Sequence, residues 1–243
     1  MRDDLLDPYA CVDWAVAQLD VFGERIARWR NRCPYAVSGV KDPQSGEDVW
    51  QIEEVEPIPR VINAEAGAII NSLRSALDLL ASKLAERNGH VGKKDVYFPV
   101  CLTIDAFRRD GRKKIKWLSA ADQEAIELFQ PYHGGDVHML LWCLHDLDIT
   151  RKHRQLVKAY SSPHGIGVYR YGSFSRAFDE IIRKQPPDDG YVFPRGPANP
   201  HYQIQVRIEI SLGYIGPLAA KPIVPALREL ADTTKSILDQ FDT

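Results

Sequence analysis

The sequence predicts an α+β fold, and three observations carry that prediction. Apolar residues recur at helical spacing over four long stretches, 8–32, 60–88, 120–152 and 222–241. Tyr202, Ile204, Val206, Ile208 and Ile210 alternate with Gln203, Gln205, Arg207 and Glu209, the pattern of a strand with one face buried. Helical and strand segments do not alternate regularly, which favours α+β over a doubly wound parallel sheet. The expected architecture is a bundle of about four long helices with an antiparallel sheet from the 35–57 hairpin and the C-terminal strands, all in one domain spanning 1–243.

The first helix opens at Asp7-Pro8. Val12, Ala15, Val16, Leu19, Phe22, Ile26 and Trp29 form its apolar face, and Cys33-Pro34 stops it. Arg25, Arg28, Arg30 and Arg32 gather at its end, where cations favour the helix dipole. Tyr35–Val40 and Asp48–Val55 flank the turn-forming run Asp42-Pro43-Gln44-Ser45-Gly46 and read as a hairpin. The second helix ends at Asn88-Gly89. It carries a wide apolar stripe, including Ile62, Ile70, Leu73, Leu77 and Leu84. Beside that runs a stripe of small and polar residues, Asn63, Gly67, Asn71, Arg74, Asp78, Ala81 and Ala85, which lets another helix come close.

Asp95–Val100 reads as a short strand. Ser119-Ala120-Ala121-Asp122 is a capping box that starts a helix stopped by Pro131. A central helix then begins after Gly134-Gly135. Val137, Leu140, Leu141, Leu144 and Leu147 form its core stripe, and Asp148 and Arg151 fall inside that stripe. Buried charge is costly unless paired, so these two are expected to pair. Residues 155–161 and 166–171 read as strands, 174–184 as a short helix, and 185–200 as a loop in which Tyr191-Val192-Phe193 is able to pair.

Composition bounds the function. A charged fraction of 26% with a formal net charge of -2 suits a soluble globular protein and excludes wholesale polyanion binding, leaving room for a local basic patch. The four cysteines (Cys11, Cys33, Cys101, Cys143) form no C-x-x-C pair, which points to reduced cytoplasmic thiols and not to a disulfide frame or zinc site. The N-terminus is acidic, unlike a secretory signal. No apolar run approaches the ~20 residues of a membrane span. A cytoplasmic, non-membrane protein is expected. Walker, G-x-G-x-x-G and G-x-S-x-G motifs are absent, which removes nucleotide-fold and hydrolase-elbow readings.

The candidate site lies in two segments. Asp148, Arg151, Lys152, His153 and Arg154 crowd the end of the central helix, where several cations would hold a phosphate or carboxylate and His153 would act as acid or base. The competing reading is a structural clamp that neutralises the helix end. Asn71, Arg74 and Asp78 point one way from the second helix and complete a polar site if they face the first group. His138 and His145 lie on nearly one azimuth with Asp148 close by. Their two-turn separation is long for one ion, so no metal and no cofactor is assigned. The basic run Arg108–Lys116, flanked by Phe107 and Trp117, offers backbone contacts and a stacking ring to nucleic acid, against the plainer reading of a solvated surface.

Leu73–Ala81 and Leu144–Arg154, with Phe98-Pro99 between them, resemble a group of bacterial proteins of similar length. The resemblance implies no particular activity. A helical bundle with basic and His residues is also similar to HEPN ribonucleases, whose helical motif sets a histidine a turn or two after an arginine. The one such spacing here, Arg195 with His201, falls in a Pro-rich loop and not in a helix.

Two functions therefore compete. One is a binding domain for an anionic group or partner, using Asn71, Arg151, Lys152 and Arg154. The other is a metal-independent phosphodiesterase or ribonuclease. In it His153 or His145 would be the acid/base, Arg74 and Arg154 the anion stabilisers, and Asp78 or Asp148 the orienting carboxylate. A purely structural ion-pair cluster is the third reading. Partners compatible with the sequence are an anionic ligand, RNA and a second copy of the chain.

Overall fold

A computed structural model describes residues 2–32, 34–41, 48–170, 173–175, 191–194, 202–213, 216–219 and 221–242. The chain is mainly helical, with antiparallel strands. After a tight turn at Asp3–Leu5, α1 runs Leu6–Arg30, with Pro8 in its first turn, where a missing N–H is harmless. Its buried face is Tyr9, Val12, Ala15, Leu19, Phe22, Ile26 and Trp29.

The longest helix among the described residues, α2, covers Arg60–Arg87 and packs on α1, on a helix near the end of the chain and on a central one. Both of its predicted stripes are used. The apolar stripe is buried, and so are Gly67, Arg74, Ala81 and Ala85 of the second. The second stripe faces another helix, α6 (Asp136–His153). A helix near the end, α7 (Ile223–Asp239), packs on α1, α2 and α6. α2 ends as Asn88-Gly89 predicts: Gly89 takes φ +82°, and His90 N–H reaches back to the Ala85 carbonyl at 2.9 Å.

Between α2 and α6 the chain makes short helical pieces. α3 (Ile104–Ala106) passes through a wider π turn at Phe107–Gly111 into α4 (Arg112–Lys114), and α5 is Ala120–Leu128. Gly111 is needed there, because a Cβ would stand 2.8 Å from the Phe107 ring and 3.2 Å from Cys101 Sγ. The capping box forms, with Ser119 Oγ accepting from the Asp122 N–H at 3.1 Å.

The strands form two three-stranded antiparallel sheets among the described residues, where a single sheet was expected. In one, the hairpin β1 (Tyr35–Lys41) and β2 (Asp48–Glu54) is joined by β5 (Tyr191–Pro194). In the other, β3 (Tyr160–Arg170) is flanked by β4 (Ser173–Ser175) and β6 (Tyr202–Ser211).

Several expectations are corrected. Asp95–Val100 is irregular and pairs with no strand among the described residues: side chains of Asp78, Arg74 and Gln130 bind the backbone of Phe98 and Pro99, and Tyr97 N–H donates to the Lys114 carbonyl at 3.3 Å. Residues 155–159 are irregular. The two strands expected at 155–161 and 166–171 are one strand, 160–170, whose register shifts between Pro163 and Gly165. The strand continues through the Pro-His-Gly run by a local break in register. Phe174 and Ser175 are in a strand, and the rest of the helix expected at 174–184 lies outside the described residues, as does the Arg195–His201 pair. Val137 is 59% exposed, because the first turn of α6 stands clear of the core its later turns enter.

Candidate functional site

The two segments meet where α2 and α6 cross. On α2, Arg74 is only 5% exposed. Its guanidinium donates to the Phe98 carbonyl at 2.6 Å, and Nη1 lies 2.9 Å from Asp78 Oδ1, an ion pair without hydrogen-bond alignment. Asp78 in turn accepts the Phe98 N–H at 2.9 Å. One helical turn of α2 thus binds both backbone groups of Phe98. This is the physical reason the 95–100 segment needs no partner strand. Gln130, fully buried, does the same one step on: it accepts from Cys101 N–H at 3.0 Å and donates to the Pro99 carbonyl at 3.0 Å. Burial pushes the Asp78 carboxyl above its ordinary range, against the pull of Arg74, the Phe98 amide and Lys152.

On α6, Asp148 is 2% exposed. Lys152 Nζ lies 2.6 Å from one of its oxygens and Arg151 Nη2 3.4 Å from the other. Arg151 also donates to Asn71 of α2 at 2.6 Å. Asp148 and Arg151 therefore pair, as two charges inside an apolar stripe must. Gly67 makes this possible: a Cβ there would stand 2.8 Å from Arg151 Cδ, so the small stripe of α2 admits the arginine stem.

Between these groups sits His145. Its Nδ1 is buried and has no hydrogen-bond partner among the described residues. Burial first, then the nearby Arg74, Lys114 and Lys152 charges, press its pKa down to about 4; Asp148 opposes them. The imidazole is neutral at pH 7. The Trp142 ring lies beside it, with centroids 5.9 Å apart. Around His145 the cations Arg74, Lys114, Arg151 and Lys152 outnumber the carboxylates Asp78 and Asp148.

Not every sequence candidate joins. His153 and Arg154, at the end of α6, are exposed, and among the described residues no hydrogen bond or ion pair links them to the buried group. His138 Nδ1 is spent on the Gly134 carbonyl. Among the described residues no three His, Cys, Asp or Glu side chains are grouped to hold a metal ion. Sequence reasoning missed Lys114, hidden in a run of surface cations, and Gln130 and Trp142, which no pattern distinguished.

The basic run is largely self-neutralised. Asp110 pairs with Arg109 at 2.8 Å and with Lys113 at 3.5 Å, Glu127 with Arg112 at 2.9 Å, and Asp95 with Lys116 at 2.6 Å. Phe107 is fully buried and offers no stacking face. Trp117 is flanked by Lys93, Lys116 and the His90 ring.

Fold and site together define a mainly helical α+β structure with a partly buried, unevenly charged ion-pair network between two helices. No known protein family, no curated protein and no solved structure matches the chain. No helix among the described residues is long and apolar enough to cross a membrane.

Proposed function

We propose that the chain is a cytoplasmic binding domain whose site takes an anionic, phosphate- or carboxylate-bearing group beside His145, Lys152 and Lys114. In this reading α1, α2, α6 and α7 act as one four-helix scaffold for that site. One observation carries it: a neutral imidazole with an unpartnered buried Nδ1 stands among cations in excess of carboxylates. A buried polar atom without a partner is costly, and surplus positive charge in a half-buried site calls for an anion. As the Nδ1–H tautomer, His145 donates to the anion while Lys152 and Lys114 balance its charge. Arg74, Asp78, Asn71 and Arg151 hold the surrounding framework through bonds to Phe98 and to one another, while Arg74 Nη1 and Arg151 Nε keep unused donors.

The test is an NMR titration of the imidazole signals, assigned with His145→Gln, with and without inorganic phosphate or acetate. A bound anion favours the imidazolium, so the His145 midpoint rises from about 4 toward the ordinary value near 6.5. Lys152→Ala diminishes the rise. A His145 signal indifferent to both anions sinks the reading. An RNA panel in the same titration distinguishes cleavage from binding, since a neutral His145 is protonated too little near neutrality to serve as a general acid.

A further inference from the structure

Two helices line the outside of the core, and their outer faces differ. α7 turns Arg228, Asp232, Lys235, Ser236 and Asp239 to solvent, an ordinary polar face. α1 turns out Leu6, Ala10, Trp14, Ala17 and Val21, flanked by Asp13 and Asp20. Trp14 is 45% exposed, and Leu6 and Val21 are half exposed. At 100° per residue the five apolar side chains share one narrow arc, repeating every three or four residues as in a helix–helix seam. Along that arc large and small residues alternate.

We infer that this stripe is where a second copy of the chain packs, α1 against α1, antiparallel about a two-fold axis between Ala15 and Val16. An interface on a two-fold must be complementary to itself. This stripe meets that condition in one register. Trp14 faces the partner's Ala17, and Val21 faces the partner's Ala10, so these two large side chains enter the space a small one leaves, while Leu6 lies against the stem of the partner's Arg25. Charge selects the direction. The start of α1 is acidic (Asp3, Asp4, Asp7) and its end basic (Arg28, Arg30). The same register sets the exposed Asp3 opposite the partner's exposed Arg28, and sets Asp7 opposite the partner's Glu24, one attractive and one repulsive pair, where a parallel pair would have like charges throughout. A parallel pair would set the acidic starts against each other. One helical stripe is narrower than a standard interface of about 800 Å² per partner, so the dimer is concentration-dependent.

Sedimentation equilibrium of the full chain from about 1 µM to about 1 mM tests this. The wild type shows a monomer–dimer equilibrium. Trp14→Ala removes the knob and Ala17→Trp fills the hole, and each weakens dimerisation at least about tenfold. The double variant exchanges knob for hole and recovers it. Val21→Glu repeats the loss at a second exposed position, and thermal unfolding of each variant monitors the fold. A chain monomeric throughout the range, a dimer unaffected by Trp14→Ala, or a double variant no better than either single one overturns the inference.

Discussion

Two dense groups of cations stand within thirty-odd residues of each other in sequence, and the fold treats them oppositely. Arg108–Lys116 is a surface run whose charges meet carboxylates from its own neighbourhood, exposed at Asp110 and Asp95 and part-exposed at Glu127. Arg74, Arg151 and Lys152 converge from two helices onto the buried Asp148, the part-buried Asp78 and a backbone segment. Each draws on a dense stretch of cations, Arg108–Lys116 in one case and Arg151–Arg154 in the other. What separates them is solvent. Exposed pairs are screened and contribute about 0–1 kcal/mol each, whereas breaking a buried pair strands its partner in a poor dielectric.

The strongest way to break that contrast is Arg74→Ala. It leaves the Phe98 carbonyl without its donor and Asp78 without its counter-ion, so urea unfolding should show a loss of about 3–5 kcal/mol. A loss below about 1 kcal/mol would mean that the clamp on Phe98 is incidental.

The second test sharpens the contrast with pH. The folded state holds the His145 pKa at about 4, below its unfolded value near 6.5. As pH falls through 6.5 the unfolded chain takes a proton that the folded chain refuses. Stability contributed by this group is therefore intact above about pH 6.5 and is lost progressively down to about pH 4. The loss is on the order of 2 kcal/mol after allowance for partial solvent access. His145→Gln flattens that part of the profile while leaving the acid limb of the carboxylates. An unchanged profile would place the imidazole in water.

The smallest effect belongs to the basic run. Arg112→Ala and Lys113→Ala each remove an exposed pair and should shift stability by no more than about 0.5 kcal/mol, within reach of salt. A large loss at either position would erase the distinction between the two groups.

Much of this was legible beforehand because it depends on near neighbours. Helix limits at Asn88-Gly89 and Ser119, the buried stripe of α2 and the pairing of Asp148 with Arg151 follow from spacing along one helix. Asp95–Val100 resembles a strand in sequence, but Phe98 and Pro99 are bound by side chains about twenty to thirty residues away and Tyr97 by the Lys114 carbonyl, which no local pattern announces. Lys114 was indistinguishable from its neighbours, since only the fold decides which cation of a run turns inward. His153 drew attention by belonging to a dense motif, yet one residue is 100° of helix, and that rotation carries it out to solvent.

The sequence by itself determined the helices, their buried faces and the demand that charges on those faces be paired, because each is fixed by periodicity and by the cost of burying an unpaired charge. Only the tertiary structure decided that Arg74 and Asp78 would clasp the backbone of Phe98, that Gly67 would admit the stem of Arg151, and that His145 would sit neutral among cations. Those outcomes depend on which surfaces two helices and a connecting segment bring together across long stretches of chain. Solvent exclusion at such a junction is a property of the assembled core.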